Sequence, residues 1–421
     1  MVGLCQNRRM TDDLQPGAQP RRRRLLATFA GAAALGAPVL VRAQAAAGPP
    51  GLPAGARASA VWDTLPGKLP LVKRTWRPPN YETPVRVFAE AFTPNEAFFV
   101  RYHLAGIPRI DPAQWRLAVG GDAAASPFEL DLAGLRSGFE TVEVAALCLC
   151  SGNRRGLAEP HVPGVQWGHG AMGNARWRGV RLRDVLARAG LRADALEVAF
   201  DGADQGAGTT PDFVKSLPAW KALDENTLLA FEMNGEPLPH WHGSPVRLVV
   251  PGWTATYWIK HLVRIEARTA PLQGFWMSPA YRLPRGRFPG LDPFVSQDTE
   301  TTTPITAMVV NSLITNIRDQ SLFRAATPLF VRGVAWDGGP GVAGVEVSID
   351  GGRSFAAARL GPDLGRFAWR QWSFAFTPAA GEYSLVARAT SRSGATQPSE
   401  WIPNPAGYHH NALQPVAIRC A

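Results

Sequence analysis

The residues best suited to chemistry fall in one segment, Cys148-Leu149-Cys150-Ser151-Gly152-Asn153-Arg154-Arg155-Gly156. A thiol follows an apolar, strand-like run, Val142 to Leu147, and precedes glycine, asparagine and two arginines. Positive charge beside a thiol favours the thiolate, the form that ligates a soft metal or acts as a nucleophile. Taken alone, the segment also fits a small, buried, inert cysteine. Phe98-Phe99-Val100-Arg101-Tyr102-His103 spaces Arg101 and His103 two apart, on one face of a strand. His242-Gly243-Ser244-Pro245-Val246-Arg247 adds another His and Arg beside a turn, and Lys260 follows Trp258-Ile259. All of these donate to anionic oxygens. Singly they read as surface or capping residues; with the thiol they describe a site for a phosphorylated, metal-bearing cofactor.

The elements that must position these groups read mostly as strands. Gly 42 and Pro 37 in 421 residues favour strands and ordered loops over long helices. Val142 to Leu147 runs into the thiol segment, and Val246 to Val250 and Trp258 to Ile265 read as further strands. Val180 to Gly190 has helical spacing at Val185, Leu186 and Ala189, with Gly190 as C-cap. Gln297 to Pro304 is polar, Thr-rich and aperiodic, and marks a domain boundary. Beyond it Phe330–Trp336, Val345–Ile349 and Tyr383–Ala389 alternate, with Asp350-Gly351-Gly352 as a turn. That pattern predicts an immunoglobulin-like β-sandwich with an assembly or packing role. The fold class is therefore α+β. A mixed, mostly-β domain spans 80–298, behind an extended Pro/Gly/Ala-rich arm at 44–79, and the sandwich spans 304–421.

Residues 1–43 read as a signal peptide. Arg21 to Arg24 precede an apolar stretch, Ala27 to Val41, too short to span a bilayer comfortably, and Val41-Arg42-Ala43 offers a cleavage site. Paired arginines before a moderately apolar core point to twin-arginine export, with an ordinary secretion signal as the alternative. No second long apolar run follows, so a periplasmic mature chain without a membrane span is expected. Removing the leader's seven basic and two acidic residues from Lys+Arg 44 and Asp+Glu 34 leaves +5. Without Lys/Arg clusters, that balance gives nucleic-acid binding little basis. Cys148, Cys150 and Cys420 are an odd set, so no disulfide framework is expected. No Cys-x-x-Cys-His motif occurs, so no haem is expected in this chain.

Cys150-Ser151-Gly152-Asn153-Arg154-Arg155 resembles the molybdenum-ligand motif of the sulfite oxidase family. Phe99 to His103, Gly170 to Trp177, Glu232 to Pro239 and His242 to Arg247 match that family's motifs in order. The resemblance spans essentially the whole mature chain, including the family's C-terminal dimerisation sandwich. Its branch looks like the bacterial periplasmic sulfite dehydrogenases. It implies that Cys150 ligates molybdenum. It implies a molybdopterin site at Phe99, Val100, Arg101, Tyr102, His103, Asp204, His242, Arg247, Trp258, Ile259 and Lys260. It places Arg101, Arg155, Trp167 and Tyr281 around an oxyanion pocket. One departure stands out. The vertebrate enzymes bring a further arginine from the sandwich, whereas Asn404 to Asn411 here holds none, so His409 or His410 replaces it or the contact is missing.

The activity implied is oxidation of sulfite to sulfate, with electrons leaving to a separate c-type cytochrome, in a chain able to dimerise through its C-terminal domain. The alternative is another oxidoreductase of the same family, a sulfane dehydrogenase or a sulfoxide reductase. The arginine pair after Cys150 favours a small oxyanion over a neutral sulfoxide.

Overall fold

The computed structural model describes residues 61–288 and 290–421. The expected signal peptide, its expected cleavage site and the first part of the arm lie outside the described residues. Within them the chain is α+β and mostly β.

The thiol segment ends the strand Thr141–Leu149, which pairs along its length with Met172–Arg181. Leu228–Met233 continues that sheet and pairs in turn with Glu236–Pro237 and Arg247–Val249. Side chains alternate across a strand. Ala146, Cys148 and Cys150 therefore join the main apolar core, while Leu147 and Leu149 join a second cluster with Trp336 and Trp369. One strand thus serves the site with one face and the C-terminal part of the chain with the other.

A second five-stranded sheet runs Lys215–Pro218, Glu197–Gly202, Leu262–Arg268, Leu117–Gly120, Phe128–Leu130. The strand expected over Trp258 to Ile265 begins only at Leu262. Residues before it leave a 3-10 turn at Ala255–Tyr257 and bend through His261, whose φ is +52°. That bend turns Trp258, Ile259 and Lys260 out of the sheet and towards the cleft described below.

The helix read over Val180 to Gly190 is Leu182–Arg188, because Val180 and Arg181 still belong to the preceding strand. Gly190, at φ +64°, donates to Ala187 O (3.0 Å), and Leu191 N donates to Leu186 O (3.1 Å). These two bonds are a Schellman stop, which needs a left-handed residue there.

From residue 61 the arm is folded rather than extended. Val61–Asp63 and Leu71–Thr75 join Asn80–Glu82 and Val100–Arg101 in an antiparallel four-stranded sheet. Leu65, Leu71, Tyr81, Val100 and Tyr102 form its core, and burying that surface outweighs the loop-like composition. The aperiodic boundary stretch also pairs, Thr302–Pro304 against Arg282–Pro284.

The C-terminal region holds two sheets. One is Asn311–Ile314, Leu329–Trp336, Arg370–Phe376, Arg359–Leu360; the other is Ser321–Phe323, Val416–Cys420, Gly381–Ser391, Val342–Ser348, Ala356–Ala357. Val331, Ala335 and Trp372 of the first share a core with Val345, Leu385 and Ala389 of the second.

Trp369 joins the two regions. It is fully buried, meets Phe88 edge-on at 5.2 Å, and its Nε1 donates to Ala91 O (2.9 Å). Trp369→Ala is expected to destabilise the protein by about 3–5 kcal/mol, read from the urea midpoint at unchanged slope. A loss under about 1 kcal/mol would mean that the junction contributes little.

Candidate active site

Cys150 is held by backbone on both sides. Its N–H donates to Ala171 O (2.9 Å), its C=O accepts from Asn153 N (2.9 Å), and Asn153 Oδ1 accepts from Ala171 N (3.0 Å). The two arginines that follow then part. Arg154, at φ +70°, turns into the junction and donates to Asn311 Oδ1 (2.5 Å) and Ala412 O (3.3 Å). It is fully enclosed, and burial brings its guanidinium down to about 9. Arg154 therefore binds the C-terminal region, and the expectation of an arginine pair at the substrate is corrected to one arginine at most.

The thiol opens on a cleft of about 700 Å³ of open space, the solvent at its mouth included. Phe99, Arg101, Tyr102, His103, Asp204, His242, Arg247, Trp258, Ile259, Lys260, Tyr281 and Cys150 all line it. Val100, Arg155 and Trp167 do not. Val100 packs in the small four-stranded core, and Trp167 is wholly buried. Arg155 is clamped behind the wall, its Nε donating to Ala406 O (2.7 Å) and Nη1 to Val165 O (3.1 Å). Its guanidinium lies 5.3 Å from the Tyr408 ring, which stacks on Tyr281 at 5.5 Å.

That stack answers the question left by residues 404–411. The side chain delivered to the wall is Tyr408, not a histidine. His409 packs on Phe288 and His410 on Trp401. Gly407, at φ +60°, makes the approach possible, since a Cβ there would meet Arg155 Cγ at 2.9 Å.

The end of the cleft nearest Cys150 carries Arg101, His103 and Tyr281. Arg101 donates from one Nη to Asn80 Oδ1 (3.1 Å) and to Tyr102 O. His103 Nε2 and the Tyr281 hydroxyl are hydrogen-bonded, and the His103 ring stacks on Phe213 at 3.6 Å. Burial, then the charges of Arg101, Lys260 and Lys215, hold His103 well below the ordinary histidine range, so it is neutral. Burial pushes the Tyr281 hydroxyl up. Tyr281 also sits at φ +60°, a costly conformation for a residue with a Cβ and a mark of functional constraint.

The other end is rich in buried cations. Arg247 donates to His242 O (3.2 Å) and Trp258 O (3.1 Å), while its buried Nε has no hydrogen-bond partner. Lys260 lies 3.3 Å from the Tyr102 ring centroid and donates to Trp241 O (3.1 Å). Lys68, from the folded arm, stands behind His242 without lining the cleft; it donates to Asn95 O (2.5 Å) and Phe98 O (3.0 Å) and meets His242 Nε2 at 2.5 Å. Burial brings Lys68 down to about 7 and Asp204 up to about 6. Asp204 is the one carboxylate lining a cleft that also holds Arg101, Arg247 and Lys260.

These features fit a phosphorylated cofactor. Buried cations outnumber carboxylates, and the Arg247 Nε needs an acceptor. Gly202 and Gly243 leave no room for a Cβ, which would fall 2.5 Å from Lys260 O and 2.7 Å from Lys260 Cβ respectively. Both glycines therefore let the Lys260 segment pack closely against its neighbours and so help to hold Lys260 at the cleft. Among the described residues no group of three His, Cys, Asp or Glu could hold a metal. A metal at Cys150 would take its remaining ligands from the cofactor.

Sequence reasoning missed Lys68, Phe213, Lys215 and Tyr408, which no local motif marks. Lys215 is buried, donates to Trp276 O (2.6 Å), and lies 4.8 and 5.1 Å from the Tyr257 and Tyr281 rings. Burial first, then the Arg282 charge, brings it down to about 7. The unfolded chain keeps that proton to about pH 10. Between those values the unfolded state binds more protons, so Lys215 makes stability rise with pH. Lys215→Met is expected to flatten that rise, seen as a smaller gap between urea midpoints at about pH 7 and 9. An unchanged gap would show that Lys215 is protonated in the folded state.

Fold and cleft together define a molybdopterin-binding oxidoreductase. Residues 103–276 match the family described as "Oxidoreductase molybdopterin binding domain", and residues 302–421 match "Mo-co oxidoreductase dimerisation domain". A sulfite oxidase of Gallus gallus is 38% identical over 347 residues, covering 78% of this chain and 72% of the relative. The mitochondrial sulfite oxidase of Homo sapiens is 35% identical over 358 residues, 81% of this chain and 64% of that protein. Among solved structures, the sulfane dehydrogenase SoxCD from Paracoccus pantotrophus superposes with a TM-score of 0.71 at 25% identity. That match covers 92% of this chain and 93% of the other. The chain belongs to the sulfite oxidase family. These similarities stop short of the narrower bacterial periplasmic sulfite dehydrogenases.

Proposed function

We propose that this chain oxidises the sulfur atom of a small anion at a molybdenum held by Cys150, and passes the electrons to a separate c-type cytochrome in the periplasm. The observation that carries this is the convergence of Cys150, Arg101, His103 and Tyr281 at one end of a cation-rich cleft. The leader supports export, and no helix among the described residues is long and apolar enough to cross a membrane. The two C-terminal sheets are taken as an immunoglobulin-like sandwich that pairs two copies of the chain.

Phe99, Tyr102, His242, Arg247, Trp258, Ile259 and Lys260 would hold the pterin and its phosphate, with Asp204 at the edge. When bound, the molybdenum cofactor supplies oxygen-atom transfer and storage for two electrons. The protein supplies the rest. Arg101 holds the anion and offsets charge as it develops. The Tyr281 hydroxyl and neutral His103 Nε2 share a proton and can pass one from the cleft. Arg155 acts through Tyr408, stiffening the wall. The buried aromatic walls exclude water.

Two substrates fit this chemistry, and each has its own support. Sulfane sulfur is favoured by the structural likeness to a sulfane dehydrogenase, which spans both chains almost end to end. That residues 404–411 bring no arginine to the cleft also suits a softer, less charged sulfur. Sulfite, the substrate first implied by the sequence motifs, is favoured by the 38% identity to an animal sulfite oxidase. The deciding experiment supplies sulfite, thiosulfate and a cysteine persulfide separately to molybdenum-loaded protein and follows reduction of ferricytochrome c. A higher kcat/KM for one substrate assigns it. Reduction of sulfoxides alone would overturn both assignments.

A further inference from the structure

A second, smaller cavity also borders Cys150, and nothing in the proposed function uses it. Cys150 and Ser151 are the only residues that line both spaces. Six further polar side chains line the cavity: Asn153 and Asn311, which already have hydrogen-bond partners, Thr254 from the catalytic region, and Trp336, His409 and His410 from the C-terminal region. Each is at least nine-tenths buried. Ser151 Oγ, Thr254 Oγ1, Trp336 Nε1, His409 Nε2 and His410 Nδ1 all lack a hydrogen-bond partner among the described residues.

Five such atoms on residues that line one small space are not ordinary. Each buried polar group left unpaired costs about 1–3 kcal/mol, and native interiors hold few of them. The cavity gives water centres about 20 Å³. A water needs roughly 10–15 Å³ on that measure and two to four polar partners. The donor and acceptor types also match. Trp336 Nε1 can only donate, the hydroxyls can do either, and each imidazole nitrogen can accept. Burial brings both His409 and His410 down to about 3, which leaves the rings neutral and free to accept.

We propose that this cavity is a water site built jointly by the two regions, holding one or two ordered waters that hydrogen-bond Ser151 and fix the Cys150–Ser151 wall. The C-terminal region then reaches the thiolate by two separate routes. Tyr408 reaches it through the cleft wall, and His409 and His410 reach it through water. All three belong to one loop, so the loop that holds no pocket arginine still sets the surroundings of the metal-binding thiol. Partners that orient a metal ligand from outside tune the metal as well as its geometry. The water site itself does not depend on the proposed function; only its effect on the metal does.

The first test is a high-resolution crystal structure of the holoenzyme. Density for water within hydrogen-bond distance of at least three of the five atoms is expected, and an empty cavity would overturn the proposal. Thr254→Val gives an independent reading because it keeps shape and removes the hydroxyl. With water present it strips a partner from a satisfied network, so the melting temperature falls. In a dry cavity it removes an unpaired hydroxyl, and the melting temperature holds or rises. Finally, His409→Phe in molybdenum-loaded protein is expected to shift the molybdenum EPR spectrum at full molybdenum content, with His409→Gln closer to the parent. Unchanged spectra in both variants would remove the coupling to the metal, and water density would then stand as a structural site alone.

Discussion

Cys150→Ser is expected to leave no measurable turnover and to lower the molybdenum content of the purified protein. A hydroxyl does not ionise near neutral pH, and an oxygen donor is a poor match for a site built around a soft thiolate. The loss should exceed the about 10–100-fold that changes in the partners of metal ligands typically cause. Cys148→Ala is the control. Cys148 faces the same side of the strand two residues earlier, but it lies beside Arg247 rather than Tyr281. It therefore belongs to the cofactor end of the cleft, and most of the activity and metal should survive its loss. Full turnover in Cys150→Ser would end the assignment of this thiol, and equal losses in both variants would mean that the strand as a whole had moved.

Arg101→Gln should lower kcat/KM for the preferred sulfur anion by about 10²–10³, the usual consequence of losing one preorganised donor to a developing negative charge. Arg101→Lys should recover little of this. The guanidinium is oriented by Asn80 Oδ1 and by Tyr102 O while it still presents other N–H groups to the cleft. A single ammonium cannot keep both anchors and offer a flat, two-pronged face. Asn80 sits opposite Arg101 in the folded arm sheet, so Asn80→Ala should show a smaller loss in the same direction. Wild-type kcat/KM in Arg101→Gln for every anionic substrate would place anion binding elsewhere in the cleft.

Much of the site was legible because its signals are local. Strand alternation sends Cys148 and Cys150 to one face and Leu147 and Leu149 to the other, whatever the rest of the chain does. Phe98 to His103 marked both Arg101 and His103, and both line the cleft, although the strand covers only Val100–Arg101 and Tyr102 between them lines the cleft as well. Alternating runs with glycine turns marked the C-terminal strands, and Gly190 marked the end of its helix.

Errors arose where one composition allows two packings. The arm's Pro/Gly content reads as extended chain, but Leu71, Tyr81 and Val100 give it a core to fold on. Trp258 to His261 has a strand's residue types, but pairing starts only after a left-handed turn.

By itself, then, the sequence determined which groups could do chemistry here: a thiol at a strand end, an arginine and a histidine sharing a face, and several donors for an anionic cofactor. Those properties depend on residues a few positions apart, where backbone geometry permits few arrangements. Only the tertiary structure decided which of them meet. It sent Arg154 into the junction and Arg155 behind the wall, although the two are neighbours in sequence. It brought Lys68 to His242, Lys215 to Tyr281, and Tyr408 to Arg155 across much of the chain. Such meetings follow from how buried surfaces pack over long sequence separations, and no short motif encodes that packing.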